Sequence, residues 1–200
     1  MKFKVLWNKY KAYLFLTLFL FEFFFLYKII QSEITQSFIL KTTIDDLIPF
    51  VPFFVIFYVL FIPFILLVLI VSFKNKKDLF RISLALFIGA TITSIFHFVI
   101  PTEMIRPVVA NTGFFNSLTN YVYSSDLPLN LFPSGHAVYT TIALFGLYAI
   151  KRKFFWIMLI PASLIIVSTV LIKQHFFLDI VFGVFLGLVI YLSVFYENII

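Results

Sequence analysis

The chain has 200 residues, of which 62% are hydrophobic and only 12% are charged. A water-soluble domain of this size needs far more polar surface, so the composition excludes an ordinary soluble globule and indicates a protein embedded in membrane lipids. The formal net charge of +6 does not indicate a nucleic-acid partner, because the basic residues form short clusters between apolar runs rather than one basic face.

Six apolar segments follow one another along the chain, and each approaches the roughly 20 residues that a helix needs to cross the hydrocarbon core. They predict an all-α, six-span transmembrane helical bundle in which residues 1–200 form a single membrane domain. The second segment is overlong and contains Pro63, where we expect the helix to bend. The predicted spans are 12–30, 47–73, 82–100, 134–150, 154–172 and 176–196.

The lysines and arginines predict the orientation of these spans, because basic residues are concentrated in cytoplasmic loops. If the spans alternate in direction, 11 of the 15 basic residues fall on one side of the membrane. Both termini are therefore predicted to be cytoplasmic, in a multi-pass protein of the cell (cytoplasmic) membrane. The 11 residues are Lys2, Lys4, Lys9, Lys11, Lys74, Lys76, Lys77, Arg81, Lys151, Arg152 and Lys153.

Four polar side chains map to the opposite, outer ends of the spans or to the outer loop 101–133. Ionisable groups at such positions are costly, so they usually face a protein interior or a wet cavity. Their common depth predicts one site near the outer membrane surface, with the 101–133 loop carrying part of it. The four residues are Arg106, His136, His175 and Asp179.

His175 and Asp179 are four residues apart and would share one face of a helix. A carboxylate there can fix the imidazole tautomer and make the other ring nitrogen more nucleophilic. The alternative is a structural pair at a helix end, which is common for this spacing taken alone. Gly183 and Gly187 continue the same stripe and predict that another helix packs closely against it.

Residues 133–136 read Pro-Ser-Gly-His and predict the start of a helix with Ser134 as its N-cap. The free amides of such a helix start bind anions such as phosphate, and His136 would project toward the bound group. Arg106, held by Pro107, could bind a phosphate with two hydrogen bonds. The alternatives are an ordinary capped membrane helix with an interfacial histidine, and an arginine that extends to the membrane surface.

These segments, in this order, resemble the three motifs of the type 2 phosphatidic acid phosphatase superfamily. The first motif is Lys-six-Arg-Pro, the second is Pro-Ser-Gly-His, and the third is Ser-Arg-five-His-three-Asp. The second motif is complete in this chain, whereas Val99 replaces the lysine of the first and Thr169 replaces the arginine of the third. The resemblance covers roughly residues 82–190.

The resemblance implies the roles of the site residues. His175 would attack phosphorus and form a phosphohistidine, Asp179 would orient His175, and His136 would protonate the departing group. The residues that would hold the phosphate are Arg106, Ser134, Gly135 and Ser168. Lys173, beside His175 and four residues after Thr169, is our own candidate for replacing the missing arginine. Because no carboxylate cluster suggests a two-metal site, we expect neither a metal nor another cofactor.

The resemblance therefore implies a metal-independent phosphatase that acts on lipid phosphates or diphosphates, such as phosphatidic acid, phosphatidylglycerol phosphate or a polyprenyl diphosphate. A lipid phosphotransferase of the inositol-sphingolipid-synthase-like branch is the alternative, with an alcohol in place of water. A transporter or flippase, or a non-catalytic relative, would belong to another class of function. His97 is expected to form a hydrogen bond inside the bundle, and Glu22 is expected to pair inside the bundle or at a protein contact. The oligomeric state is not predicted.

Overall fold

The computed structural model of the protein describes residues 2–196, apart from the side chains of residues 2–5 and 8. Throughout this part of the chain the secondary structure is helical, with only two isolated β-bridges. The first apolar segment forms α1 (Lys2–Phe21), which continues through a π-helical turn (Glu22–Leu26) into α2 (Tyr27–Glu33). A short α3 (Thr43–Leu47) lies in the connection to the next apolar helix.

The second apolar segment is a broken helix. A 3₁₀ turn (Pro52–Phe54) leads into α4 (Val55–Val59), and α5 (Phe61–Ser72) follows after an interruption at Leu60. Pro63 has no N–H to donate to the Val59 carbonyl, and its ring crowds the preceding turn. The predicted bend therefore appears as a break at Leu60, three residues before Pro63 and next to the Val59 carbonyl that lacks a donor.

Among the described residues five helices remain, and the three motif segments lie within them or in the turns and loops that join them. They are α6 (Lys76–Val99), α7 (Phe114–Ser125), α8 (Gly135–Ile150), α9 (Arg152–Leu171) and α10 (Phe177–Phe195). By length and composition, five helical stretches of the described chain could cross a membrane, namely 9–33, 52–72, 76–99, 152–171 and 177–195. The remaining predicted span, the fourth (134–150), corresponds to α8, which is apolar but has only 16 residues.

α8 is the central helix, since it packs against α5, α6, α9 and α10. Its contact with α10 depends on two glycines. A Cβ atom at Gly183 would lie 2.8 Å from the Ser134 carbonyl oxygen, and one at Gly187 would lie 2.8 Å from the Val138 carbonyl oxygen. Backbone atoms of a buried helix cannot move aside easily, so larger residues would force the helices apart. The predicted close packing along this stripe is confirmed, and α8 is the partner helix.

The 101–133 segment contains a helix, α7, that the sequence analysis did not predict. Leu118 and Val122 pack against Val55, Tyr58 and Ile172 in a small apolar cluster. Helix α7 is apolar on one face only, so it falls below the hydropathy of a membrane span. The recurrence of apolar residues at 114, 115, 118 and 122 is the signal that could have indicated it.

The basic clusters lie at the end of the bundle opposite to the motif residues. The Lys11 ammonium lies 4.4 Å from the centre of the Phe80 ring, and the Arg81 guanidinium lies 5.8 Å from that of Phe195. Because α8 runs antiparallel to α6, the 151–153 cluster that follows α8 is also at this end. The other end, where α6 and α9 finish and where α8 and α10 begin, carries the motif residues.

Candidate active site

His175 lies in a tight turn between α9 and α10. Lys173 ends α9 in a left-handed conformation, with φ 53°. The Thr169 carbonyl then accepts hydrogen bonds from the backbone N–H groups of Gln174 (2.8 Å) and His175 (3.1 Å). The prediction that His175 and Asp179 share a helix is therefore wrong for His175, because α10 begins only at Phe177. The turn nevertheless brings their side chains together.

The hydrogen bonds of the His175 ring define which nitrogen is available for chemistry. Nδ1 lies 3.0 Å from the Leu131 carbonyl oxygen and 3.4 Å from Asp179 Oδ2. A carbonyl oxygen can only accept, so Nδ1 carries the proton and Nε2 of the neutral ring keeps its lone pair. The Leu131 carbonyl is held in turn by Thr102, whose hydroxyl accepts the N–H groups of Leu131 (2.9 Å) and Phe132 (3.0 Å).

Asp179 is fully buried and connects three parts of the site. Its Oδ2 accepts the Phe176 N–H at 2.8 Å and so caps α10, while its backbone carbonyl accepts the Ser134 N–H at 3.0 Å. Asp179 Oδ2 lies farther from His175 Nδ1 than the Leu131 carbonyl oxygen does. The structure thus places Asp179 beside His175 as predicted, but a backbone carbonyl is the nearer partner of the ring.

The start of α8 has the predicted capped form. The Ser134 hydroxyl accepts the Ala137 N–H at 3.4 Å, which confirms Ser134 as the N-cap, and the Ser134 side chain is fully buried. This bond leaves the amides of Gly135 and His136 at the first two positions of the helix, where no intrahelical acceptor exists. Free amides at the start of a helix can bind an anion.

The His136 ring is held by aromatic contacts. Its centroid lies 4.4 Å from that of Tyr58 in a stacked arrangement and 4.3 Å from that of Phe61. The His175 ring centroid is 5.9 Å away. Within the described residues no hydrogen-bond partner occupies the His136 ring nitrogens. The two histidine rings are therefore neighbours in edge-to-face contact, and each has a nitrogen available.

Arg106 is fixed by neighbours rather than extended toward the membrane surface. Its Nη1 donates to the Asp126 carbonyl at 2.7 Å and its Nη2 donates to the Gln174 side-chain oxygen, while its Nε has no partner among the described residues. The guanidinium also lies 4.6 Å from the Tyr123 ring centre. Partial burial lowers the pKa of Arg106, and the Asp126 carboxylate opposes this shift. Gln174 joins the first and third motifs, a link that the sequence analysis missed.

Lys173 and Ser168 have different surroundings. Lys173 Nζ donates to the carbonyls of Asp45 (3.1 Å) and Ile48 (2.6 Å), and partial burial lowers its pKa while Asp45 opposes the shift. An ammonium has three donors, so one N–H remains. Ser168 is fully buried, and its hydroxyl donates to the Ile165 carbonyl at 2.6 Å within α9. The structure brings Lys173, but not the Ser168 hydroxyl, to a cavity wall.

Two cavities meet at His175, which lines both of them. The bundle cavity, of about 220 Å³, lies between the first helix, α6 and α8. The loop cavity, of about 630 Å³, lies between the 39–50 segment and the turn at Arg106. The bundle cavity is lined by Phe23, Phe24, Phe61, His97, Asp126, Gly135 and His136 among others. The loop cavity is lined by Lys41, Asp45, Asp46, Arg106, Lys173 and Phe176 among others.

Two carboxylates that the sequence analysis did not assign hold the site together. Asp126 accepts the hydroxyls of Tyr27 at 2.9 Å and Tyr58 at 3.0 Å, and so ties α2 and α4 to the segment that holds Arg106. Asp45 Oδ1 accepts the Phe177 N–H, the first of α10, at 2.7 Å. The Thr42–Asp45 capping box was readable in the sequence, whereas the pairing of Asp126 with two distant tyrosines was not.

The expected internal hydrogen bonds of Glu22 and His97 are confirmed. The Thr91 hydroxyl lies 2.9 Å from Glu22 Oε1, and His97 Nε2 donates to the Pro133 carbonyl at 3.2 Å. Both side chains also line the bundle cavity. Over residues 2–196, no three His, Asp or Glu side chains are grouped as metal ligands would be.

Comparison with known proteins gives one match. The model of the PAP2 superfamily matches residues 78–197, a range that contains all the catalytic and phosphate-binding candidates. No curated protein and no solved structure matches the chain. The match covers more than half of the sequence and agrees with the resemblance read from the three motifs. The protein, with its several membrane-length apolar helices, therefore belongs to the PAP2 superfamily, which generally comprises phosphatases.

Proposed function

We propose that the protein is a membrane-embedded phosphatase that removes phosphate from lipid phosphates or diphosphates through a phosphohistidine on His175. The observation that carries this proposal is the pair of neighbouring histidines, 5.9 Å apart between ring centroids. His175 lines both the bundle cavity, which contains several aromatic side chains, and the loop cavity, which contains Arg106 and Lys173. A phosphoryl group bound at this junction could be reached by a nitrogen of each ring.

In the first step the lone pair of His175 Nε2 forms a bond to phosphorus. The bond from phosphorus to the lipid oxygen breaks. That oxygen keeps the electron pair of the broken bond and receives a proton from His136. The phosphorylated ring is cationic while Nδ1 keeps its proton. The Leu131 carbonyl and the Asp179 carboxylate, 3.0 and 3.4 Å from Nδ1, stabilise that charge.

In the second step His136, now neutral, takes a proton from water, and the oxygen of that water attacks phosphorus. The bond between phosphorus and nitrogen breaks, and Nε2 recovers its lone pair. Arg106 and Lys173, on the wall of the loop cavity, offset the negative charge of the phosphoryl oxygens. The free amides of Gly135 and His136 donate hydrogen bonds to the same oxygens. No metal is used in either step.

The bundle cavity is proposed to hold the lipid part of the substrate. Phe23, Phe24 and Phe61 line it beside His136, so an apolar leaving group would bury its surface there. The departing oxygen would lie next to the aromatic-stacked histidine, while the charged phosphate would point toward the two cations. This arrangement favours a lipid phosphate over a small soluble phosphate ester.

The proposed topology has six spans, including the short α8, with both termini in the cytoplasm and the site on the outer face of the cell membrane. It is supported by the position of the basic clusters, which lie at the end of the bundle away from the site. Membrane lipids would surround the protein, and lipid phosphates would be its substrates.

A phosphate-release panel tests the function directly. Purified protein would be given phosphatidic acid, phosphatidylglycerol phosphate and a polyprenyl diphosphate in strong chelator, with and without alcohol acceptors. We expect release from at least one lipid, an acid-labile phosphoenzyme, and loss of both in His175→Ala. Asn111→Ala, an exposed change in the same outer segment, is the matched control.

Three results would contradict parts of the proposal. Normal turnover in His175→Ala would remove the nucleophile. Activity that appears only after magnesium is restored would remove the metal-independent mechanism. Transfer of phosphate to alcohols at the expense of release would identify a phosphotransferase rather than a phosphatase.

A further inference from the structure

Asn130 is a buried polar residue that no step above uses. Only 2% of its surface is exposed, and it lines the bundle cavity together with His136 and His175. Neither Oδ1 nor Nδ2 of its side chain has a hydrogen-bond partner among residues 2–196. Buried amide groups are nearly always paired, because an unpaired one is costly. A side chain of this kind on a cavity wall points to a polar ligand.

The backbone around Asn130 is firmly held, so its side chain has little freedom to find another partner. Its N–H donates to the Thr102 carbonyl at 2.9 Å, and the Thr102 hydroxyl accepts the next two N–H groups along the chain. The following carbonyl, that of Leu131, is the one that bonds His175 Nδ1. Asn130 is therefore one residue away from the group that fixes the proposed nucleophile.

Backbone conformation explains the residue type only in part. Asn130 has φ 61°, a left-handed conformation that asparagine adopts more readily than most residues. Glycine would satisfy that requirement equally well and would bury no amide. The conformation therefore accounts for a small or Asx-type residue, but it does not account for two buried, unpaired polar atoms on a residue that lines the same cavity as the histidines.

We propose that Asn130 is a further substrate-binding residue that holds the phosphate of the substrate at the end of the bundle cavity. Nδ2 donates to a phosphoryl oxygen, and Oδ1 accepts from the hydroxyl of the same phosphate monoanion. One ligand thus pairs both atoms, and the phosphate is presented between His136 and His175. This inference rests on the proposed function and adds a neutral contact to the cationic and backbone contacts already described.

The test uses two substitutions that keep the backbone conformation available. Asn130→Asp keeps the shape and the acceptor but replaces the donor with a charged oxygen, which repels phosphate. Asn130→Gly removes both polar atoms and tolerates φ 61°. The matched control is Asn120→Asp, since Asn120 lies in α7 and its side chain donates to the Val109 carbonyl at 3.2 Å.

Two measurements would be made on the purified full chain: the rate of phosphoenzyme formation, and the rise in melting temperature caused by orthovanadate, which resembles the phosphate monoanion. We expect vanadate affinity and phosphoenzyme rate to fall about 10-fold in Asn130→Gly and about 100-fold in Asn130→Asp, with Asn120→Asp unchanged. Melting temperatures without vanadate should stay within about 5 °C of the wild-type value.

Wild-type affinity and rate in either Asn130 variant would overturn this inference and leave the phosphatase intact. If one variant fails to fold, the other decides. A wild-type protein that neither binds vanadate nor releases phosphate from any lipid would overturn the proposed function, and the role of Asn130 with it.

Discussion

The two cavities that meet at His175 differ in what they can bind. The bundle cavity is lined by phenylalanines and by His136, which is held by ring stacking and not by hydrogen bonds. The loop cavity contains Arg106 and Lys173, and each of them is anchored to backbone carbonyls. If His175 is the nucleophile, it stands between a cavity with several phenylalanines and a cavity with two anchored cations, and it could act on a molecule that has an apolar part and a phosphate. Under the proposed function, the apolar part of the substrate would lie in the bundle cavity, and the cations that offset the charge of the phosphate would come from the loop cavity.

The strongest test of this division is His136→Ala, on the bundle side. With a lipid phosphate, whose leaving oxygen is a poor alkoxide, we expect turnover to fall by roughly 10²- to 10⁴-fold, because the proton donor is lost. With p-nitrophenyl phosphate, whose leaving group needs little protonation, phosphoenzyme formation should be largely spared. The measurement is the rate of the phosphoenzyme burst with each substrate. Equal losses with both substrates would show that His136 holds the phosphate rather than the leaving group.

Lys173→Ala tests the loop side. Loss of one phosphate-binding charge should lower turnover by roughly 10²-fold with both substrates, since the phosphate is common to them. Thr169→Arg combined with Lys173→Ala should recover part of the rate, and Lys173→Arg should keep most of it. The measurement is the steady-state rate of the wild type, Lys173→Ala, Lys173→Arg and the double variant. Wild-type turnover in Lys173→Ala would mean that this lysine only anchors the segment of Asp45 and Ile48.

The sequence was sufficient to predict the helices of the bundle because each long apolar run predicts one helix by itself. Five of the six predicted runs correspond to helical stretches of membrane length, and the fourth run corresponds to the shorter α8. Helix α7 was missed because it is apolar on one face only. The proline rule located the break in the second run, but the break itself lies where Val59 loses its donor.

For the site, the sequence indicated which residues could react but not what holds them. His136, His175, Asp179 and Arg106 were predicted, and the structure brings them to one end of the bundle. The Leu131 carbonyl could not be anticipated, because every residue has a carbonyl and only the fold selects one. The unpaired amide of Asn130 is likewise visible only when its burial is known.

Cysteine labelling can test which side of the membrane the loop cavity faces. Of the changes proposed here, these substitutions are expected to alter the catalytic rate least. The chain has no cysteine, so single cysteines at the exposed positions Thr112 and Lys77 can be tested with an impermeant thiol reagent in intact cells. Both variants should keep wild-type turnover. We expect Thr112→Cys to react and Lys77→Cys to react only after the cells are opened. The reverse pattern would place the site in the cytoplasm.

The shortness of α8 has a consequence for the membrane around it. Sixteen residues give a helix of about 24 Å, whereas the hydrocarbon core is about 30 Å thick. If the C-terminal end of α8, beside the 151–153 cluster, lies at one surface of the hydrocarbon core, His136 lies about 6 Å inside the opposite surface. The phosphate of a phospholipid lies outside the hydrocarbon core, so His136 would be deeper in the membrane than that phosphate. A substrate must therefore sink toward the site, or the bilayer must become thinner around the protein. Catalytic rate should then depend on the acyl-chain length of the host bilayer and should be higher in thinner membranes.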